Sequence, residues 1–142
     1  MSSVFRMSFL SVVSLVAFAG CGEDLSVPRT APVSGSVMLK GKPAPGMRVK
    51  FHPQFNVGKV KFTPYGETGP EGKYVLNTGA PGNGAPVGDY VVTIEKPRVG
   101  TDATGLEAEV DDLKGKYSDP EKSQFKVSVK SGDNVIPPFD VE

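Results

Sequence analysis

The chain has 142 residues, 17 of them glycine and 13 proline, and no long apolar periodic stretch after residue 20, which fits one small globular domain. Sixteen basic residues balance sixteen acidic ones, and no clustered basic face of the kind that binds nucleic acid stands out. A single cysteine excludes an internal disulfide framework, while one histidine and no tryptophan remove several common ligand and catalytic arrangements.

Residues 1–20 read as a lipoprotein signal peptide. Arg6 supplies a positive start, Met7 to Phe18 is apolar apart from three serines, and Ala19 and Gly20 are the small residues that cleavage requires. The apolar run is shorter than the ~20 residues of a membrane span. Ala17-Phe18-Ala19 fits ordinary small-x-small cleavage, whereas Phe18-Ala19-Gly20-Cys21 resembles a bacterial lipobox, with Phe18 standing where Leu is usual. The lipobox reading is preferred because ordinary cleavage would strand the only thiol of the chain beside a new N-terminus in an oxidising compartment. Cys21 is therefore the expected lipidation site. Each buried methylene contributes about 0.8 kcal/mol, so two acyl chains anchor stably where one does so marginally. Removing Arg6 with the signal leaves 15 basic against 16 acidic residues, a balance of −1. Gly22 in place of Asp after the cysteine resembles the sorting pattern of outer-membrane lipoproteins, so the expected location is the cell envelope, at the outer membrane, on its periplasmic or surface face.

Residues 21–32 have the mixed charge and proline content of a flexible tether. From Val33 to Glu142 short alternating runs are separated by turn clusters. Val33, Gly35, Val37 and Leu39 alternate with Ser34, Ser36 and Met38. Met47, Val49 and Phe51 alternate with Arg48 and Lys50, and Gly41-Lys42-Pro43 turns between these two runs. The same period places Val60 and Phe62 on one side of Lys59 to Thr63, and it recurs at Tyr74 and Leu76, at Tyr90, Val92 and Ile94, and at Phe125, Val127 and Val129. Ser131-Gly132-Asp133-Asn134 turns the chain into a last strand through Phe139 and Val141. Pro137 and Pro138 confine that strand to an edge or a bulge, because neither has an N–H to give. About seven strands of this kind predict an all-β sandwich.

One segment breaks the period. Thr101 to Lys116 carries Asp102, Glu107, Glu109, Asp111 and Asp112, with Leu106, Val110 and Leu113 at helical spacing and Thr104 with Glu107 as a capping box. A short helix is expected in 101–116. A cation site is the sharper reading of the acids, but they lack the alternating pattern of a Ca²⁺ loop, and a solvated face is preferred.

Val33-Ser34-Gly35-Ser36-Val37-Met38-Leu39-Lys40-Gly41-Lys42-Pro43, continuing through Pro45 to Phe51, resembles the opening of carboxypeptidase-regulatory-like domains, which are transthyretin-like β-sandwiches. Thr68 to Leu76 is similar to their next hairpin, with Gly69 where an Asp is usual. Ala85 to Ile94 is similar to their Pro-Gly-x-Tyr strand, with Val87 inserted between Pro86 and Gly88. The closing section Lys116 to Pro120, Ser123 to Val129 and Ser131 to Asn134 resembles that of small bacterial lipoproteins with such domains. Tyr after Gly-x starts a strand with a large ring on the core side, so Tyr74 and Tyr90 are expected to pack in the core.

Catalysis has little to work with. Ser-His-Asp and Cys-His chemistry needs an imidazole shuttle, and His52 is alone, followed by Pro53 at a strand end. No nucleophile elbow, zinc-protease helix or phosphate loop is present. Similar folds that act as ring-opening dioxygenases hold iron with two His and two Tyr, and the purine-pathway hydrolases of this shape carry several His. The expected function is thus a non-catalytic, lipid-anchored envelope protein whose sandwich serves as a structural or protein-interaction module, attached to the membrane through Cys21. The alternative is a binding module for a glycan or small ligand, cation-assisted or not, for which Tyr65 and Tyr117, in turn-rich stretches, are the candidate contacts. A hydrolase using surface carboxylates is the remaining and weakest reading. Neither a cofactor, nor a metal site, nor a nucleic-acid partner is expected.

Overall fold

The computed structural model describes residues 28–142, so the signal segment and Cys21 lie outside the described residues. These residues form β1 (Thr30–Ala31), β2 (Val33–Leu39), β3 (Lys42–Pro43), β4 (Arg48–Pro53), β5 (Tyr65–Glu67), β6 (Lys73–Val75), β7 (Ala85–Pro86), β8 (Gly88–Glu95), β9 (Pro97–Thr101), β10 (Glu107–Asp111), β11 (Lys126–Val129), β12 (Asn134–Val135) and β13 (Phe139–Val141). None of them is helical, and together they form an all-β sandwich. Its strands outnumber the seven expected because several two-residue pairings close the edges.

The alternation over β2 becomes the centre of a five-stranded sheet. Antiparallel β6 and β3 lie along one side of β2, and parallel β12 and β13 along the other. β12 pairs with β2 as far as Val135↔Ser34 and β13 resumes at Phe139↔Val37. The break falls on Ile136, Pro137 and Pro138, so the last strand is an edge interrupted where the prolines have no N–H, as the sequence indicated. The second sheet runs β11-β8-β4-β5, with β8 and β4 antiparallel over six residue pairs from Arg48↔Glu95 to Pro53↔Tyr90.

Inward residues of the two sheets form one core. Val33, Val37, Tyr74, Phe139 and Val141 of the first meet Val49, Phe51, Tyr90, Val92 and Ile94 of the second, all buried. Phe51 meets Tyr74 edge-on at a centroid distance of 6.5 Å and Tyr90 at a tilt at 5.7 Å, and the Tyr74 ring stacks on Phe139. The lower corner is tied by Thr68, which is buried. Its hydroxyl donates to the Ala44 carbonyl at 2.5 Å and accepts from the Met47 N–H at 2.8 Å. The following turn is closed by backbone bonds from Gly69 N to Lys73 O and from Gly72 N to Gly69 O. Gly72 has φ +72°, and a Cβ there would lie 2.8 Å from both Ala44 N and Val37 O.

Three sequence expectations are corrected. Residues 101–116 form no helix: β9 and β10 are an antiparallel hairpin paired from Pro97↔Asp111 to Thr101↔Glu107. Glu107, Glu109 and Asp111 follow a period of two, and Gly105 at φ +86° turns the chain between the strands. Thr104 is no helix cap, since its hydroxyl donates to the Asp102 carboxylate. Leu106 is exposed while Leu113 packs against the core, so the apolar residues at helical spacing share no face. Secondly, Lys59 to Thr63 is not a strand. It belongs to the connection from β4 to β5, where Phe62 packs on Phe55, whose ring in turn meets Tyr90 edge-on at 5.4 Å. Thirdly, the packed domain begins before Val33, because Thr30 and Ala31 pair with Pro86 and Ala85 and Ala31 is buried.

Candidate functional site

The two tyrosines proposed as ligand contacts lie apart. Tyr65, about half exposed, stands on the outer face of β5 opposite Lys50. Tyr117 lies beyond β8, its carbonyl accepting from the Ile94 N–H at 3.0 Å. β4 and β8 therefore separate them, and no single ligand surface unites the pair. The Tyr117 ring rests against Phe125, with the Lys116 ammonium 5.2 Å from its centre, and its hydroxyl accepts from the Glu142 N–H at 3.0 Å. A polar cleft of about 470 Å³ opens beside it, lined by Lys116, Lys122, Gln124, Asp140 and Glu142.

His52 is on the outer face of β4. Its Nε2 is 2.8 Å from the Thr93 hydroxyl. Burial first, and then the Lys50 ammonium, hold its pKa below the usual imidazole value, against the opposing pull of Glu95. The ring is thus neutral near pH 7 and paired to a threonine on the neighbouring strand. Lys50 itself meets Glu95 at 2.8 Å. The described residues contain no group of three or more His, Cys, Asp or Glu positioned to hold a metal ion, and no helix among them is long and apolar enough to cross a membrane.

The feature that sequence reasoning missed is on the outer face of the other sheet. Ser34 of β2 pairs with Val75 on one side and with Val135 on the other. Both valines point outward and are 51% and 81% exposed. Two strand spacings put them about 10 Å apart, with small residues between. A trough of about 500 Å³ results, with Ser34, Gly35 and Ser36 as its floor and Val75, Val135, Pro137 and Pro138 among its walls. Its surface is overwhelmingly apolar, and its one charged member, Lys73, sits at the rim paired to Glu71 at 3.3 Å. A serine-serine floor reads as an ordinary wet strand face in sequence, and the walls come from residues sixty positions apart that only the pairing unites.

No protein-family profile matches the chain, and no curated protein matches it. Among solved structures, a 9R-lipoxygenase from Cyanothece PCC8801 matches at 13% identity with a TM-score of 0.45, over 80% of this chain and 16% of that one. The chain spans about one sixth of that enzyme's length, and at this distance the likeness carries no argument about activity.

Proposed function

We propose that this protein is a non-catalytic, lipid-anchored module of the cell envelope whose sandwich docks a protein partner through the trough along β2. The observation that carries the reading is the exposed Val75 and Val135 pair flanking a serine floor. Apolar side chains gathered around a concavity on a polar surface mark an interaction site more often than an inert one. The signal-like N-terminus and Cys21 support attachment to a membrane, and the resemblance to carboxypeptidase-regulatory-like domains supports a sandwich used for assembly instead of chemistry. The trough offers a glycan little beyond the Ser34 and Ser36 hydroxyls of its floor, since its walls are valine and proline. The test is affinity capture of the tagged full-length protein from its native envelope beside a Val75→Lys/Val135→Lys variant. A partner held by the parent chain and lost by the variant supports the reading. Equal recovery by both, or background alone, overturns it.

A further inference from the structure

The hairpin of β9 and β10 is built as a rigid unit that touches the sandwich at few points. Among the described residues its strands pair only with each other. Its tip is tied internally: the Asp102 carboxylate accepts from Thr104 N at 2.8 Å, from the Thr104 hydroxyl at 2.6 Å and from Leu106 N at 3.1 Å. Its base is tied too, since the Asp111 carboxylate accepts from Lys96 N at 2.8 Å, Leu113 N at 3.0 Å and Gly115 N at 3.0 Å, and Asp112 N donates to Lys96 O. Val99 and Leu106, which would glue the hairpin down if they packed, are 71% and 67% exposed.

What holds the shaft to the sandwich is Arg48 of β4. Its guanidinium meets both oxygens of Glu109, Nη1 to Oε1 at 2.5 Å and Nη2 to Oε2 at 3.2 Å, while Nε and Nη2 reach Glu67 of β5 at 3.4 Å. The two-pronged geometry is the strong form of this pairing. The other charges around the contact are Lys50 on β4 and Glu95 on β8, which pair with each other.

We propose that the hairpin is an arm that swings as one piece on its Lys96–Asp112 base, clasped against the four-stranded sheet by Arg48 and Glu109. Opening breaks no apolar packing of Val99 or Leu106 and leaves Glu67 as a partner for Arg48, so it is cheap. Because the clasp is an ion pair at the surface, salt weakens it. Hinged closure of a tied element on a short base is a known mode of motion.

Nitroxide labels at Leu106→Cys on the tip and Tyr65→Cys on β5, placed in the full chain carrying Cys21→Ser, measure the arm-to-sheet distance directly. A single narrow distance is expected at low salt. A longer second population is expected to grow about two- to five-fold in Glu109→Gln and in about 1 M salt, where the screening length falls to about 3 Å. Amide exchange of the β9 and β10 ladder should stay unchanged throughout. Identical distance distributions in every condition overturn the proposal. So does faster ladder exchange accompanying the change, which would mean the hairpin unzips instead of swinging. The salt comparison on the Glu109 protein keeps the test decisive even if the Gln variant misfolds.

Discussion

Tyr74 lies across from Gly35 with its ring filling the space a side chain at position 35 would occupy. A Cβ built there falls 2.4 Å from the Tyr74 hydroxyl and 2.6 Å from the ring carbon bearing it. The ring cannot retreat, because Phe51 and Phe139 pack against it. Gly35→Ala is therefore expected to cost about 1–3 kcal/mol, the range for overpacking a filled core, read as a lower urea midpoint at unchanged slope.

The same tyrosine carries an unsatisfied group. Its hydroxyl is buried with no hydrogen-bond partner, whereas the Tyr90 hydroxyl donates to Pro86 O at 2.6 Å. Burial pushes both phenols up out of their ordinary range. Removing an orphaned buried hydroxyl relieves a desolvation penalty, so Tyr74→Phe should leave the protein as stable or about 1 kcal/mol more so. Tyr90→Phe should destabilise it by about 1 kcal/mol, because the Pro86 carbonyl loses its donor. Parallel thermal melts of the two variants check the opposite signs.

Thr68→Val keeps the shape of the side chain and deletes two bonds to buried backbone, those of Met47 N and Ala44 O. Stranding a buried donor and a buried acceptor at about 1–3 kcal/mol each gives an expected loss of about 2 kcal/mol or more, measurable by chemical denaturation. Thr68→Ser should recover most of it.

Acid should weaken the fold in two stages of the same sign. His52 has its folded pKa below the unfolded value near 6.5. It contributes stability above that value that is lost as pH falls through the folded one. Asp102, Glu109 and Asp119 are likewise held below their ordinary range, by Thr104, by Arg48 and by the Glu121 N–H respectively. Their contribution is present above about pH 4 and disappears below it as the carboxylates protonate. Urea midpoints from pH 7 to pH 2.5 should fall in that order. In Glu109→Gln the lower stage should shrink, and in His52→Gln the upper.

Period-two patterning was readable wherever one face of a strand meets the core and the other meets water. β2, β4 and β8 therefore stand where Val33 to Leu39, Met47 to Phe51 and Tyr90 to Ile94 placed them. It misled where the same spacing served a loop, as at Val60 and Phe62, which are only half-buried and where Phe62 packs on Phe55 without a ladder. At Leu106, Val110 and Leu113 a helical spacing arose by coincidence, and Gly100 and Gly105 were the better signal: a Cβ on Gly100 would meet Val110 at 2.7 Å across the hairpin. The trough could not be read at all, since neither Val75 nor Val135 is unusual until Ser34 sets them side by side. His52, the lone histidine, pairs with Thr93 of the neighbouring strand.

β2 acquires its parallel neighbours from the far end of the chain: Val33 awaits Asn134, and Leu39 awaits Val141. Closing a loop of some hundred residues comes before any reward from those contacts. Among the described residues the first long strand in chain order is thus the last to be sheltered on both sides. Until residue 141 arrives, the β2 backbone facing β12 and β13 is an open template for any extended chain. Whatever accompanies this protein before it folds has that one edge, above all others, to keep covered.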